Sequence, residues 1–92
     1  MPTKRRGAQK DHRAAFGRQL RSLRLDRELS QEALAERSGL HRNYVGGVER
    51  GEINLSLDNI HAFAHGLAVD VRTLFHDDGA ATRATQRAPR SR

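Results

Sequence analysis

Apolar positions in this chain recur at helical spacing from about His12 to residue 75, and nowhere do they alternate as a half-buried strand requires. Phe16, Leu20 and Leu23 fall at i, i+4 and i+7. That predicts an amphipathic helix over about 13–27, with Arg18, Arg21, Arg24 and Arg27 spread around its other faces. A second helix is predicted at about 31–37. Ser30 is a good N-cap, Glu32 lies near the positive end, and Ala33, Leu34 and Ala35 are apolar or strong helix formers. Gly39 ends it, because glycine readily takes the left-handed conformation that turns the chain out of a helix. A third helix over about 42–50 turns Val45 and Val48 inward and closes at Gly51. Ser56 then caps a fourth, with Asp58 in its first turn and Leu57, Ile60, Phe63, Ala64 and Leu67 as a broad apolar stripe that Gly66 weakens near its end. Asp70 is expected to cap a short fifth helix bearing Val71, Leu74 and Phe75. The predicted class is all-α, a compact five-helix domain.

Domain limits follow from where this pattern stops. Residues 1–11 are polar and lack periodicity, so they are expected to form a disordered basic arm. Residues 79–92 are Gly, Ala, Thr, Gln, Arg, Pro and Ser, too poor in apolar surface to offset ordering entropy, and are expected to be a disordered basic tail. The folded unit is thus placed at 12–78. Its aromatics are only Phe16, Tyr44, Phe63 and Phe75, which limits it to a modest core. Charge follows the same division. The arm holds Lys4, Arg5, Arg6 and Lys10 against Asp11, a net +3, and the tail holds Arg83, Arg87, Arg90 and Arg92, a net +4. The body, with nine basic and ten acidic residues, is close to neutral. Attraction to a polyanion would come from the two ends, while the body docks through a few local contacts.

The stretch LSQEALAERSGLHRNYVGGVERG, Leu29 to Gly51, therefore places two short helices around a three- or four-residue glycine turn, the layout of a helix-turn-helix. Such a motif sets its second helix in the major groove of DNA. Arg42 and Asn43 occupy the first turn of that helix. Their side chains suit base edges, since arginine can donate twice to guanine O6 and N7 and asparagine can pair with adenine N6 and N7.

Leu29-Ser30-Gln31-Glu32, Leu34-Ala35, Gly39-Leu40, Val45, Val48-Glu49-Arg50-Gly51, Asn54, Ser56-Leu57 and Ile60 together resemble the Cro-like, xenobiotic-response-element helix-turn-helix proteins of bacteria and phages. The likeness covers about residues 13–75. Within that family, His41-Arg42-Asn43-Tyr44 with Glu49-Arg50-Gly51 and Asn54-Leu55-Ser56-Leu57 is most similar to the controller proteins of restriction-modification systems. The resemblance implies a lambda-repressor-like domain that binds double-stranded DNA as a homodimer in the bacterial cytoplasm, on the nucleoid. It assigns base contacts to His41, Arg42 and Asn43, and backbone contacts to Gln31, Tyr44, Arg50 and Asn54. It makes Arg24 and Glu49 a structural ion pair. Tyr44 either stacks on a sugar or packs on the face of the second helix.

One departure concerns Gly46 and Gly47, each costing about 1 kcal/mol of helix propensity. Position 47 is one where relatives commonly present a base-reading side chain. Three readings stay open: the backbone approaches DNA closely, specificity rests on Arg42, Asn43 and DNA shape, or sequence reading is weakened altogether.

Other chemistry finds little footing. There is no cysteine, and no nucleophile with its base, phosphate-cradling glycine loop or metalloprotease motif is visible, so no enzyme is expected. His61 and His65 stand at i and i+4, but without a third ligand they read as surface histidines, and no metal, cofactor or small-molecule ligand is expected. No apolar run follows the basic first residues, so neither signal peptide nor membrane span is expected. Apolar surface left over at the C-terminal end of the body would favour pairing with a second copy. The alternative is an antitoxin-type interaction protein that autoregulates through the same motif; its tail lacks apolar anchors other than Ala and Pro. Deleting residues 1–11 should weaken binding to every duplex alike and flatten its salt dependence, as read from affinities over a salt series.

Overall fold

Helix α1 spans Pro2–Asp26 in the computed structural model, which describes the backbone of residues 2–76 and the side chains of residues 11–76. This range takes in residues 2–11, a stretch expected to form a disordered basic arm. Once the 12–26 segment is packed, each further residue adds a hydrogen bond without a new nucleation cost, and Pro2 sits in the first turn, where its missing N–H is no loss. The expected tail at 79–92 lies outside the described residues.

Helices α2 (Gln31–Ser38), α3 (Arg42–Glu49) and α4 (Leu57–Leu67) follow, and the described residues contain no strand. Ser30 accepts the Ala33 N–H at 3.0 Å and Ser56 the Asn59 N–H at 3.1 Å, each satisfying an otherwise orphaned donor. Gly39, at φ 70°, ends α2 in the left-handed conformation. The Leu40 N–H then closes back on the Ala35 carbonyl at 2.9 Å, and Leu40 folds onto the core. Gly39, Leu40 and His41 thus form a three-residue turn between α2 and α3.

The fifth helix is a five-residue 3-10 segment, Val71–Phe75, not an α-helix. With so few residues between Asp70 and His76, the tighter spacing wins: Thr73 N–H bonds the Asp70 carbonyl at 2.9 Å. Asp70 does cap it, accepting the Arg72 N–H at 2.9 Å.

Phe16 and Leu20 of α1, Leu34 and Ala35 of α2, Val45 and Val48 of α3, Phe63, Ala64 and Leu67 of α4, and Leu74 meet in one buried cluster. Leu57, expected in the apolar stripe of the fourth helix, and Phe75, expected on the fifth, stand 69% and 60% exposed. Gln19 Nε2 donates to the Thr73 carbonyl at 2.9 Å and Arg27 Nε to the Leu67 carbonyl at 2.8 Å, tying α1 to the chain's far end.

Two helix crossings depend on a missing side chain. A Cβ on Gly17 would run into the backbone carbonyl oxygens of Val48 and Glu49, so α1 lies directly on the C-terminal turn of α3. A Cβ on Gly66 would meet the Ser38 hydroxyl, where α4 crosses α2, so the glycine that weakens α4 by propensity is what lets it pack. Backbone carbonyls cannot yield, whereas the serine hydroxyl can rotate and the Ser38 backbone nitrogen lies farther off, at 3.2 Å. Gly17→Ala should therefore cost about 1 to 3 kcal/mol in urea unfolding, and Gly66→Ala less; the reverse order would contradict this packing.

Candidate DNA-reading face

The base of the site is a buried ion pair. Arg24 Nε donates to Glu49 Oε2 at 2.6 Å and Arg24 Nη2 to Glu49 Oε1 at 3.0 Å, a two-point match between planar groups. Both side chains are nearly buried, at 9% and 4% exposure, and Arg24 Nη1 donates further to the Leu29 carbonyl at 2.9 Å. Hydrogen bonding to Glu49 raises the Arg24 pKa, burial opposes this, and Coulomb attraction to Glu49 adds to it. A raised pKa means the arginine's contribution is fully present below its ordinary value and is lost only at still higher pH, so Arg24 stays charged throughout the working range.

Gln31 joins this pair from α2. Its Nε2 donates to Glu49 Oε1 at 3.0 Å, so one carboxylate links α1, α2 and α3. The Gln31 amide, assigned to phosphate by resemblance alone, is therefore oriented from inside the protein. Its second amide hydrogen and the backbone N–H groups at the start of α2 are the donors left for an anion.

The first turn of α3 faces outward. His41 is its N-cap: Nδ1 accepts the Asn43 N–H at 3.1 Å, which requires that nitrogen unprotonated and puts the proton on Nε2. Histidine is not among the usual capping residues, so composition did not signal this. Arg42 and Asn43 are exposed. Arg42 Nη1 lies 3.6 Å from Glu32 Oε2, a surface ion pair worth at most about 1 kcal/mol and easily exchanged for a stronger partner.

Tyr44 packs on α4. Its ring stacks on Phe63, with centroids 6.2 Å apart and planes 14° from parallel, and its hydroxyl accepts Asn59 Nδ2 at 2.9 Å. Asn59 was not singled out from sequence, since nothing in its local pattern tells of a partner fifteen residues away. Arg50, the C-cap of α3, pairs with Glu52 at 3.2 Å. Asn54 is exposed in the loop before α4, on the rim of a shallow cleft beside His12 and Arg13.

Gly46 and Gly47 lie one turn beyond Arg42 and Asn43, hence on the same face of α3. Both are buried, and the protein's own side chains cover them. A Cβ on Gly46 would sit 3.1 Å from an Arg50 guanidinium nitrogen and 3.5 Å from Gln31 Oε1. One on Gly47 would sit 2.6 Å from Ile53 Cδ1. Close approach of bare backbone to DNA, one of the three readings left open, does not fit this arrangement.

The helix-turn-helix domain family matches residues 15–75. The chain belongs to that family. It is 43% identical over 63 residues to the control protein C.BamHI of Bacillus amyloliquefaciens, covering 67% of this chain and 78% of that protein. It is 42% identical over 69 residues to the control protein C.SmaI of Serratia marcescens, covering 75% and 82%. Among solved structures, the restriction-modification controller protein C.AhdI from Aeromonas hydrophila superposes with a TM-score of 0.68 at 54% identity, over 68% of this chain and 96% of that one. The hypothetical transcription factor NHTF from Neisseria superposes at 0.73 with 35% identity, over 85% and 87%. No helix among the described residues is long and apolar enough to cross a membrane, and no metal-binding cluster occurs among them.

Removing one member of the buried pair leaves the other charged and unsatisfied. Glu49→Ala should lose about 3 to 5 kcal/mol in chemical denaturation. The double variant Arg24→Met, Glu49→Leu should recover most of that loss; a double variant as unstable as the single would show that the pair is not what the charges cost.

Proposed function

We propose that this chain is a sequence-specific, double-stranded-DNA-binding transcriptional regulator of the restriction-modification controller type, acting as a homodimer in the bacterial cytoplasm. The observation that carries the reading is the exposed first turn of α3, with Arg42 and Asn43 outward on a helix whose other face is locked to α1 and α2. In this reading Arg42 leaves Glu32 for a guanine, Asn43 pairs with adenine, and His41 Nε2–H donates to a neighbouring acceptor.

Phosphate contacts fall to Gln31 at the positive end of α2, to Arg50 and Asn54 beyond α3, and to Tyr44, whose hydroxyl keeps its own proton to donate while Asn59 holds the oxygen. The basic residues outside 12–78 supply sequence-independent attraction.

Pairing of two copies fits the apolar surface that the fold leaves uncovered. Leu57 and Phe75 are exposed, and His12, Ala15, Phe16, Leu74 and Phe75 line a cleft of about 310 Å³. A symmetric dimer burying this surface would set two α3 helices on half-sites about one helical turn apart. The similarity to control proteins supports the same reading, and a repressing or activating output then depends on where the dimer lies relative to a promoter.

Selection of duplexes from a random pool at physiological salt should enrich a site with two related halves. On that site Arg42→Ala should lose about 1 to 3 kcal/mol and blur one base position per half. Equal losses on selected and random duplexes would remove Arg42 from base reading.

A further inference from the structure

Asn43 and Gly47 are four residues apart on α3, so the place a side chain at position 47 would occupy adjoins the exposed Asn43, while Gly47 itself is buried. Ile53 occupies that place. Its Cδ1 lies 2.6 Å and its Cγ1 3.1 Å from where a Gly47 Cβ would stand, while Arg50 Nη2 flanks the same point at 4.0 Å. Ile53 comes from the loop after α3, is only partly buried, and packs its inner side on the core. Glycine at 47 leaves the space in which Ile53 sits, and a Cβ there would force the Ile53 side chain to shift.

The result is an aliphatic group beside the Arg50 guanidinium and one helical turn from Asn43. We infer that Ile53 is a specificity-determining residue that reads the C5-methyl group of a thymine, doing from the loop what position 47 cannot do from the helix. Apolar contact with that methyl is the one base-edge feature in the major groove that needs no hydrogen bond, and it distinguishes thymine from cytosine and from uracil. The inference rests on the DNA-binding reading above and adds to it a chemical class of contact and a residue.

The test replaces each thymine of the selected duplex by uracil, one position at a time, which removes the methyl and leaves every hydrogen-bonding group in place. Wild-type protein should lose about fourfold in affinity at one thymine in each half-site, the worth of one buried methyl group. Ile53→Ala should bind thymine and uracil equally at that position and keep the wild-type response to every other substitution; Ile53→Val, which lacks only Cδ1, should fall between them. Melting curves of both variants establish that they are folded. A purely structural role for Ile53 would lower affinity for thymine- and uracil-bearing duplexes alike. Wild-type indifference to every methyl, a selected site without thymine, or Ile53→Ala with undiminished methyl sensitivity would each overturn the inference while leaving the DNA-binding reading intact. Failure to enrich any sequence would overturn that reading and the inference together.

Discussion

The carboxylate of Glu49 is the point on which the arrangement of the site depends. It stands at the end of α3, takes two hydrogen bonds from Arg24 of α1 and a third from Gln31 of α2, and is almost fully buried. A charge in that position is costly unless every lone pair is used, so the three helices have one mutual orientation in which it is satisfied. Apolar packing of Val45 and Val48 supplies the driving force for docking α3. Hydrophobic contact is non-directional, however, and it is the directional bridge that decides which residues of α3 remain outside.

Steric constraint completes what electrostatics begins. The absence of a side chain at Gly17 lets α1 rest on the carbonyls of Val48 and Glu49, bringing Arg24 within reach of its partner. The Gly46–Gly47 pair does the same outward, giving room for Gln31 and Arg50 over one residue and Ile53 over the other. Each glycine weakens its own helix by propensity, and at Gly17 the close backbone approach it permits is one that no side chain would allow. The candidate face is consequently a composite of α3, the start of α2 and the loop after α3.

Much of the fold was legible because its signals are local. Ser30, Ser56 and Asp70 cap as their chemistry suggests, Gly39 turns as its φ freedom allows, and Phe16, Leu20, Val45, Val48 and Phe63 are buried where their spacing placed them. What escaped depends on distance in space. The packing of Gly17, the support of Tyr44 by Asn59, and the seat of Ile53 on Gly47 each join residues whose separation in sequence carries no periodic trace. The start of α1 escaped for another reason: residues 2–11 lack an apolar stripe, and their helix is an extension of packed structure and not a product of their own pattern.

The most direct measurement is the crystal structure of the protein bound to a duplex selected for tight binding. Two copies should lie with α3 in successive major grooves, Arg42 and Asn43 within hydrogen-bond distance of base edges, and the Gln31 amide on a phosphate while still bonded to Glu49. A complex in which α3 turns its outer face away from the bases would contradict the function argued here, and one in which Gln31 abandons Glu49 would show that the buried carboxylate does not set the site.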